Sequence, residues 1–169
     1  QSSPKITGSS KDADGEWDIG GFPVINVLAN IPIYSEAGGG NTVFQIDTFF
    51  VVEAVRSDTS RILFQGYKSA SDSNVLILTS VTNSGSQYTL TETGGSAESG
   101  KDWQLRAPDG TLEDYTGTAT SAVAKINSSE AIDGRLTTFI YDLAPSENGD
   151  GNNDTLDKII DSGGQSISF

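Results

Sequence analysis

The feature that most restricts the fold of this chain is a period-two alternation of apolar and polar residues, repeated in short segments. In the segment 42–55, TVFQIDTFFVVEAV, Phe50 and Val52 fall on one side of an extended chain, whereas Asp47 and Glu53 fall on the other. Successive side chains of a β-strand point to opposite faces, so this pattern indicates a half-buried strand.

Further segments of the same character follow, and polar or glycine-rich breaks separate them. RILFQGY, VLILTSVT and QYTLTET come next, and their spacing predicts a meander of four strands with the first segment. Beyond them, Pro108 sets a turn and Gly110 accepts a positive φ, which predicts a hairpin between WQLR and TLEDY. The run 22–34 contains two prolines, which argue against a helix and indicate an irregular or edge strand.

The remaining segments complete an all-β pattern. TGTATSAVAKI, RLTTFIYDLA and the final QSISF are rich in residues that favour strands. The total of about nine or ten short strands predicts an antiparallel β-sandwich, either immunoglobulin-like or a jelly roll. Helix is expected at most as a single turn over residues 155–161 and as a short segment near Ala131.

Length and uniform composition predict one domain. The chain has 169 residues, within the roughly 100–200 residues of a typical domain. We assign residues 16–169 to a single sandwich domain. The preceding polar segment, residues 1–15, is a candidate assembly arm that adds a strand to an open sheet edge of its own chain or of a neighbouring copy; the alternative is that it packs on its own domain.

The composition argues against many functions. The net charge is −13, so nucleic acid would be repelled, and we do not expect it as a partner. His, Cys and Met are all absent, which removes imidazole bases, thiol nucleophiles, zinc sites and haem ligands. A non-enzymatic role is therefore favoured.

Two further observations concern the location of the protein. No apolar run approaches the roughly 18 residues of a membrane-spanning helix, so we do not expect membrane insertion. The chain begins with Gln1 and contains no Met, from which we expect a removed signal peptide. The predicted location is extracellular or at the cell surface.

Two acidic stretches place oxygen ligands at alternating positions around glycines, as calcium loops do. The first stretch supplies Asn148, Asp150, Asn152 and Asp154, with Asp157 further on, and the second supplies Asp12, Asp14 and Asp18. The spacing in the first stretch resembles the Asp/Asn/Gly calcium loops of dockerins and thrombospondin type 3 repeats over about a dozen residues. Calcium is therefore the candidate cofactor. The alternative is a plain surface turn of residues that tolerate a left-handed backbone.

Other candidate sites are less specific. Three carboxylate pairs have the residue types of a glycosidase acid and base, although solvated strand faces are the favoured explanation. These pairs are Glu113 with Asp114, Glu98 with Asp102, and Asp47 with Glu53. Asn127 and Asn153 begin N-glycosylation sequons in predicted turns.

Aromatic residues offer flat apolar faces with polar tips that could stack on sugar rings. They are Trp17, Tyr34, Tyr67, Tyr88, Trp103, Tyr115 and Tyr141. We expect most of them to pack in the core or at sheet edges. Trp103 is the expected core residue, and Trp17 is the candidate for an exposed contact.

Two functions follow from these observations. The first is a non-catalytic extracellular structural or adhesive subunit of a filament, matrix, surface layer or coat, which forms homo-oligomers or polymers through sheet edges or termini. The alternative is a calcium-dependent carbohydrate-binding module that uses the acidic loops and exposed aromatic residues.

Overall fold

The computed structural model describes residues 9–11, 17–19, 22–36, 43–71, 76–81, 87–96, 100–117, 123–141 and 156–168. All regular secondary structure in these residues is β-strand. The strands are β1 (Ser9–Lys11), β2 (Trp17–Ile19), β3 (Val24–Glu36), β4 (Val43–Val55), β5 (Arg61–Ser69), β6 (Ile77–Ser80), β7 (Thr89–Ser96), β8 (Gly100–Arg106), β9 (Leu112–Gly117), β10 (Val123–Glu130), β11 (Leu136–Tyr141), β12 (Leu156–Ile160) and β13 (Ser166–Ser168). Over the same residues, no helix has the length and apolar character needed to cross a membrane.

Eight consecutive antiparallel strands, β3 to β10, close into a barrel. Closure occurs at β10, where Ala124 lies opposite Gly117 of β9 on one side and opposite Ile25 of β3 on the other. The predicted antiparallel β-sandwich, immunoglobulin-like or jelly roll, is therefore wrong. An alternating pattern suits the inner face of a barrel and of a sandwich equally well, so the pairing of two distant strands, β3 and β10, decides between them.

Three further strands extend the sheet outside the barrel. β10 pairs with β3 up to Lys125, which lies opposite Val24. Further along, β10 pairs with β11, where Ser128 lies opposite Thr138. β12 and β13 follow by hairpins. The helical turn predicted over residues 155–161 is wrong, because residues 156–160 form β12. β1 and β2 make a separate two-stranded ribbon, and the predicted domain division at residue 15 stays a prediction.

The local strand predictions agree with the structure. The meander of four strands corresponds to β4, β5, β6 and β7, and the hairpin around Pro108 corresponds to β8 and β9. The run with two prolines is the extended strand β3. The predicted turn that starts at Asn127 is shorter than expected, because β10 continues to Glu130.

Four hairpins share one turn geometry in which the fourth residue has a positive φ. These fourth residues are Thr59 (φ 66°), Gly110 (φ 89°), Gly134 (φ 81°) and Gly164 (φ 78°). In each turn the amide of the fourth residue donates to the carbonyl of the first, and the first amide donates to the carbonyl of the fifth. An aspartate oxygen accepts a further amide in each, as Asp109 does from Thr111 at 2.9 Å. This geometry matches hairpin loops that place glycine in the left-handed region.

The barrel interior is filled by the inward-facing side chains of all eight strands. The buried core consists of Ile25, Phe50, Val52, Ala54, Ile62, Phe64, Leu76, Leu78, Leu90, Trp103, Leu105, Tyr115, Ala124 and Ile126. An eight-stranded barrel is just wide enough for side chains to fill. Leu78 packs on the backbone of Gly66, where an added Cβ would lie only 2.3 Å from its Cδ2 atom. The prediction that Trp103 is a core residue is confirmed.

Candidate functional site

The β3–β4 hairpin is longer than the strands beside it. β3 pairs with β10 only through Val24 to Asn26, whereas its pairing with β4 continues to Glu36. On the other side, β5 pairs with β4 from Asp47 onward. Among the described strands, none pairs with the outer edge of β3 beyond Asn26. The distal part of this hairpin therefore extends past its described neighbours.

An apolar row crosses the outer surface at this hairpin. Ile31 lies opposite Phe49, and Phe49 lies opposite Tyr67 of β5. The rings of Phe49 and Tyr67 have centroids 4.8 Å apart. The next residue of β4, Phe50, is buried inside the barrel, so Phe49 faces outward. We call Ile31, Phe49 and Tyr67 the hairpin face.

The hairpin face is exposed and uncharged. Ile31 is 52% exposed and Tyr67 is 66% exposed. Nearby exposed apolar residues are Leu28, Tyr34, Val43 and Phe44. Residues 28–35 of β3 contain no charged residue, and Asp47 is the first carboxylate along β4.

The lower end of the barrel, beside the β4–β5 and β8–β9 turns, contains a buried ion pair. The guanidinium of Arg56 donates to both carboxylate oxygens of Glu113, and the Nη2–Oε1 distance is 2.6 Å. The Tyr115 hydroxyl donates to Glu113 Oε2 at 2.6 Å and accepts from Arg56 Nη1 at 3.2 Å. Burial by itself lowers the pKa of Arg56, but the hydrogen bonds and charge of Glu113 outweigh it and raise that pKa. Burial, together with the charge of Glu113, raises the pKa of Tyr115.

A second charged group lies inside the barrel toward its upper end. Lys68 Nζ donates to Glu92 Oε2 at 2.9 Å, and Lys101 Nζ donates to Glu92 Oε1. The ammonium of Lys101 also lies 5.6 Å from the centroid of the Phe50 ring. Burial raises the pKa of Glu92, but the hydrogen bonds from Lys101 and Lys68 outweigh it and lower that pKa below its usual value. We call Lys68, Glu92 and Lys101 the lysine cluster.

The predicted pair Glu113 and Asp114 does not form an acid–base pair. Glu113 points into the barrel, and Asp114 points outward, where it accepts from Gln104 at 2.9 Å and from Ser128 at 3.1 Å. Adjacent residues of a strand face opposite sides, so the two carboxylates cannot act on one substrate atom. The interpretation of Glu113 as part of a solvated strand face is also wrong, because it is 5% exposed.

In the other predicted carboxylate pairs, the described carboxylates lie far apart or accept hydrogen bonds from neighbouring groups. Asp47 and Glu53 are both on β4 and lie roughly 20 Å apart along an extended strand. Glu53 accepts hydrogen bonds from Asn26 and from Arg61. Asp102 accepts the amide of Gly117 at 3.1 Å, and its predicted partner, Glu98, lies outside the described residues.

The calcium loops fall almost entirely outside the described residues. The predicted ligands Asn148, Asp150, Asn152, Asp154, Asp12 and Asp14 are among those not described. Asp18 lies on β2, and Asp157 is exposed on β12. The part of the chain that the structure describes contains no group of three or more acidic side chains placed to hold a metal ion. The calcium loops stay a prediction.

The sequons and aromatic residues have mixed outcomes. Asn127 lies within strand β10 instead of a turn, and its side-chain amide donates to Thr116 Oγ1 at 2.9 Å. Asn153 lies outside the described residues. Tyr115 is buried in the core, whereas Tyr34 and Tyr67 are exposed. For Trp17, on β2, the exposed contact stays a prediction.

Sequence reasoning missed the charged residues inside the barrel, although their positions carried a signal. Lys68 is an even number of residues away from the buried Ile62 and Phe64 on β5. Glu92 is likewise two residues away from the buried Leu90 on β7. Side chains that share a parity share a face of a strand. The alternation could therefore have placed these charges among the core residues.

Comparison with known proteins finds no matching family model, no matching curated protein and no matching solved structure.

Proposed function

We propose that this protein is a non-catalytic structural or adhesive subunit that assembles with further copies of itself through the hairpin face. The observation that carries the proposal is the outward-facing row of Ile31, half-buried Phe49 and Tyr67, in which Ile31 and Tyr67 are exposed, on a barrel whose interior is already filled. Soluble monomers rarely expose large contiguous apolar patches, and such patches commonly mark interaction surfaces.

Charge favours a second copy as the occupant of this surface. A chain with a net charge of −13 repels its own copies, so they can approach closely only where the surface is uncharged. The segment 28–35 provides such a surface. An apolar patch that meets its own counterpart across a two-fold axis needs no charged partner.

The described acids support a non-catalytic role. Glu113 is fully engaged by Arg56 and Tyr115, and Asp114 is engaged by Gln104 and Ser128 on the other face. We propose an extracellular filament, matrix, surface layer or coat as the setting, as expected from the sequence. The calcium-dependent carbohydrate-binding module would use the same exposed Tyr67 and Tyr34, so one experiment can separate the two functions.

Sedimentation velocity over a wide range of protein concentrations tests self-assembly. We expect the wild-type protein to associate and Ile31→Asp to associate at least tenfold more weakly, because the variant buries an unpaired charge in the contact. Ile77→Asp is the matched control. Ile77 is an exposed strand residue, 62% exposed, on β6, and we expect its variant to associate like the wild type.

Two results would contradict self-assembly. A wild-type protein that stays monomeric at every concentration would rule out the hairpin face as a contact between copies. Equal weakening of association by Ile31→Asp and Ile77→Asp would show that the contact is not specific to the hairpin face. A monomer that binds glycans and loses them on Tyr67→Ala would instead support the carbohydrate-binding function.

A further inference from the structure

The two charged groups inside the barrel differ in their charge balance. At the lower end, one cation, Arg56, meets one carboxylate, Glu113. In the lysine cluster, two cations meet the single carboxylate of Glu92. Within the described residues, Glu92 is the one carboxylate that pairs with either lysine. Counted over the described residues, the lysine cluster therefore contains two positive charges and one negative charge, in a strongly acidic protein.

This excess charge lies where it is poorly solvated. The side chains of Lys68 and Lys101 are 29% and 24% exposed, and that of Glu92 is 11% exposed. A partly buried charge is unfavourable unless an opposite charge or hydrogen bonds compensate it. Glu92 compensates one of the two ammonium groups, and the ring of Phe50 contributes a weaker attraction to Lys101.

Both ammonium groups also retain hydrogen-bonding capacity. A lysine ammonium has three N–H donors, and among the residues that the structure describes each lysine makes one hydrogen bond, to Glu92. Solvent reaches both side chains, so an incoming group can approach them. Two ammonium groups that share one carboxylate present their remaining donors to a second acceptor near the first.

We propose that the lysine cluster binds an oxyanion, a carboxylate or phosphate group that completes the charge balance of Lys68 and Lys101 at the upper end of the barrel. The bound group accepts hydrogen bonds from both lysines and leaves Glu92 in place. The site is independent of the hairpin face and does not depend on self-assembly. Because the side chains of Lys68 and Lys101 are only partly exposed, the bound anion must be small enough to reach their ammonium groups at the end of the barrel.

Thermal unfolding with added anions tests this proposal. Inorganic phosphate and acetate are compared with chloride at equal ionic strength. We expect one of the two oxyanions to raise the Tm in a saturable manner, because a ligand that binds only the folded state stabilises it by mass action. A response to phosphate alone would indicate a phosphorylated ligand, and a response to acetate alone would indicate a carboxylate-bearing one.

Variants assign the effect to the cluster. Lys68→Gln should lose at least nine-tenths of the Tm shift, whereas Lys68→Arg should retain it. Lys158→Gln, which removes the same charge from β12, is the control and should behave as the wild type. If Lys68→Gln does not fold, the side-chain ammonium resonances of Lys68 and Lys101 in the wild type should shift with the same saturation curve. An equal Tm shift in Lys68→Gln and Lys158→Gln, or none in the wild type, would overturn the proposal.

Discussion

Thr59 occupies a backbone position that three equivalent turns give to glycine. A β-branched residue at a φ of 66° is strained, because its Cβ crowds the backbone in the left-handed region. We expect Thr59→Gly to stabilise the protein by up to about 1 kcal/mol, since relief of roughly 1–2 kcal/mol of strain exceeds the entropy lost by glycine. Urea-induced unfolding measures the change.

The reverse substitution in another turn provides the control. At Gly134 an added Cβ would meet no atom within 4 Å, so Gly134→Thr adds backbone strain without a clash. We expect it to destabilise the protein by up to about 1 kcal/mol, because the loss of glycine's entropy cost offsets part of the strain. If Thr59→Gly destabilised the protein as well, the shared turn geometry would be wrong at residue 59.

Glu113 and Asp114 are neighbours with opposite environments, and matched substitutions should separate them. Glu113→Gln leaves Arg56 without its countercharge inside the barrel, and we expect a loss of about 3 kcal/mol in unfolding free energy. Asp114→Asn keeps an acceptor on the outer face and should change it by less than about 1 kcal/mol. Denaturant unfolding of both variants checks this, and equal losses would contradict the inward position of Glu113.

At the residue scale, the position of a residue in the alternation of a strand predicts which face it occupies better than its residue type does. Trp103 was correctly assigned to the core because a large apolar residue starts a strand there. Lys68 and Glu92 were missed because charged residues are ordinarily solvated, and their parity with buried neighbours was not used. Asn127 was placed in a turn because its composition suggests one, yet pairing with β9 and β11 keeps β10 extended.

At the element scale, strands were predictable wherever the alternation is long. β4 and β5 have clear period-two patterns, so their existence follows from local sequence. β12 was ambiguous because the short run LDKII fits a helical turn as well as a strand, and only its pairing with β11 decides. The irregularities in the β3–β4 pairing, at Leu28 of β3 and at Ile46 of β4, depend on the fit of the two strands and leave no local signal.

Pro32 lies in the part of β3 whose outer edge pairs with none of the described strands. Proline lacks an N–H group and occurs in strands where no neighbour needs that donor, so we infer that its missing donor falls on the open side. We expect Pro32→Thr to restore an edge donor and to increase ordered aggregation several-fold, because unblocked edges pair with other chains. Thioflavin fluorescence during agitation measures this increase.

Ser35→Thr is the control for the edge, because it changes the same strand without adding a backbone donor. It should aggregate at the wild-type rate. The thioflavin-detected aggregation of Pro32→Thr should not change when the hairpin face is altered by Tyr67→Asp, since edge pairing uses backbone groups. An aggregation rate for Pro32→Thr equal to that of the wild type would show that the edge is protected by something else.

At the scale of the whole molecule, composition limits the side-chain chemistry that the chain has but did not determine the architecture. The absence of His, Cys and Met was informative about chemistry. The closure of the barrel depends on contacts between β3 and β10, at opposite ends of the meander, and such long-range pairing has no signal in a single sequence. The hairpin face was likewise hidden, because Ile31, Phe49 and Tyr67 meet only after three strands have paired.

The predicted calcium loops have a direct test on the whole protein. If Asp150 and its neighbours hold calcium, millimolar calcium should raise the Tm, and a chelator should reverse the rise. Magnesium at the same concentration is the control for general screening of the acidic charge. An identical Tm in calcium, magnesium and chelator would mean that the acidic loops do not bind calcium and are plain surface turns.

The assignment of every side chain to the inside or outside of the molecule depends on closure of the barrel at β10. Nuclear Overhauser effects between backbone protons test this closure most directly. We expect the backbone protons of Ala124 to show contacts to Gly117 on one side and to Ile25 on the other. Contacts to Gly117 without any to Ile25 or its β3 neighbours would mean an open sheet and would contradict the closed barrel.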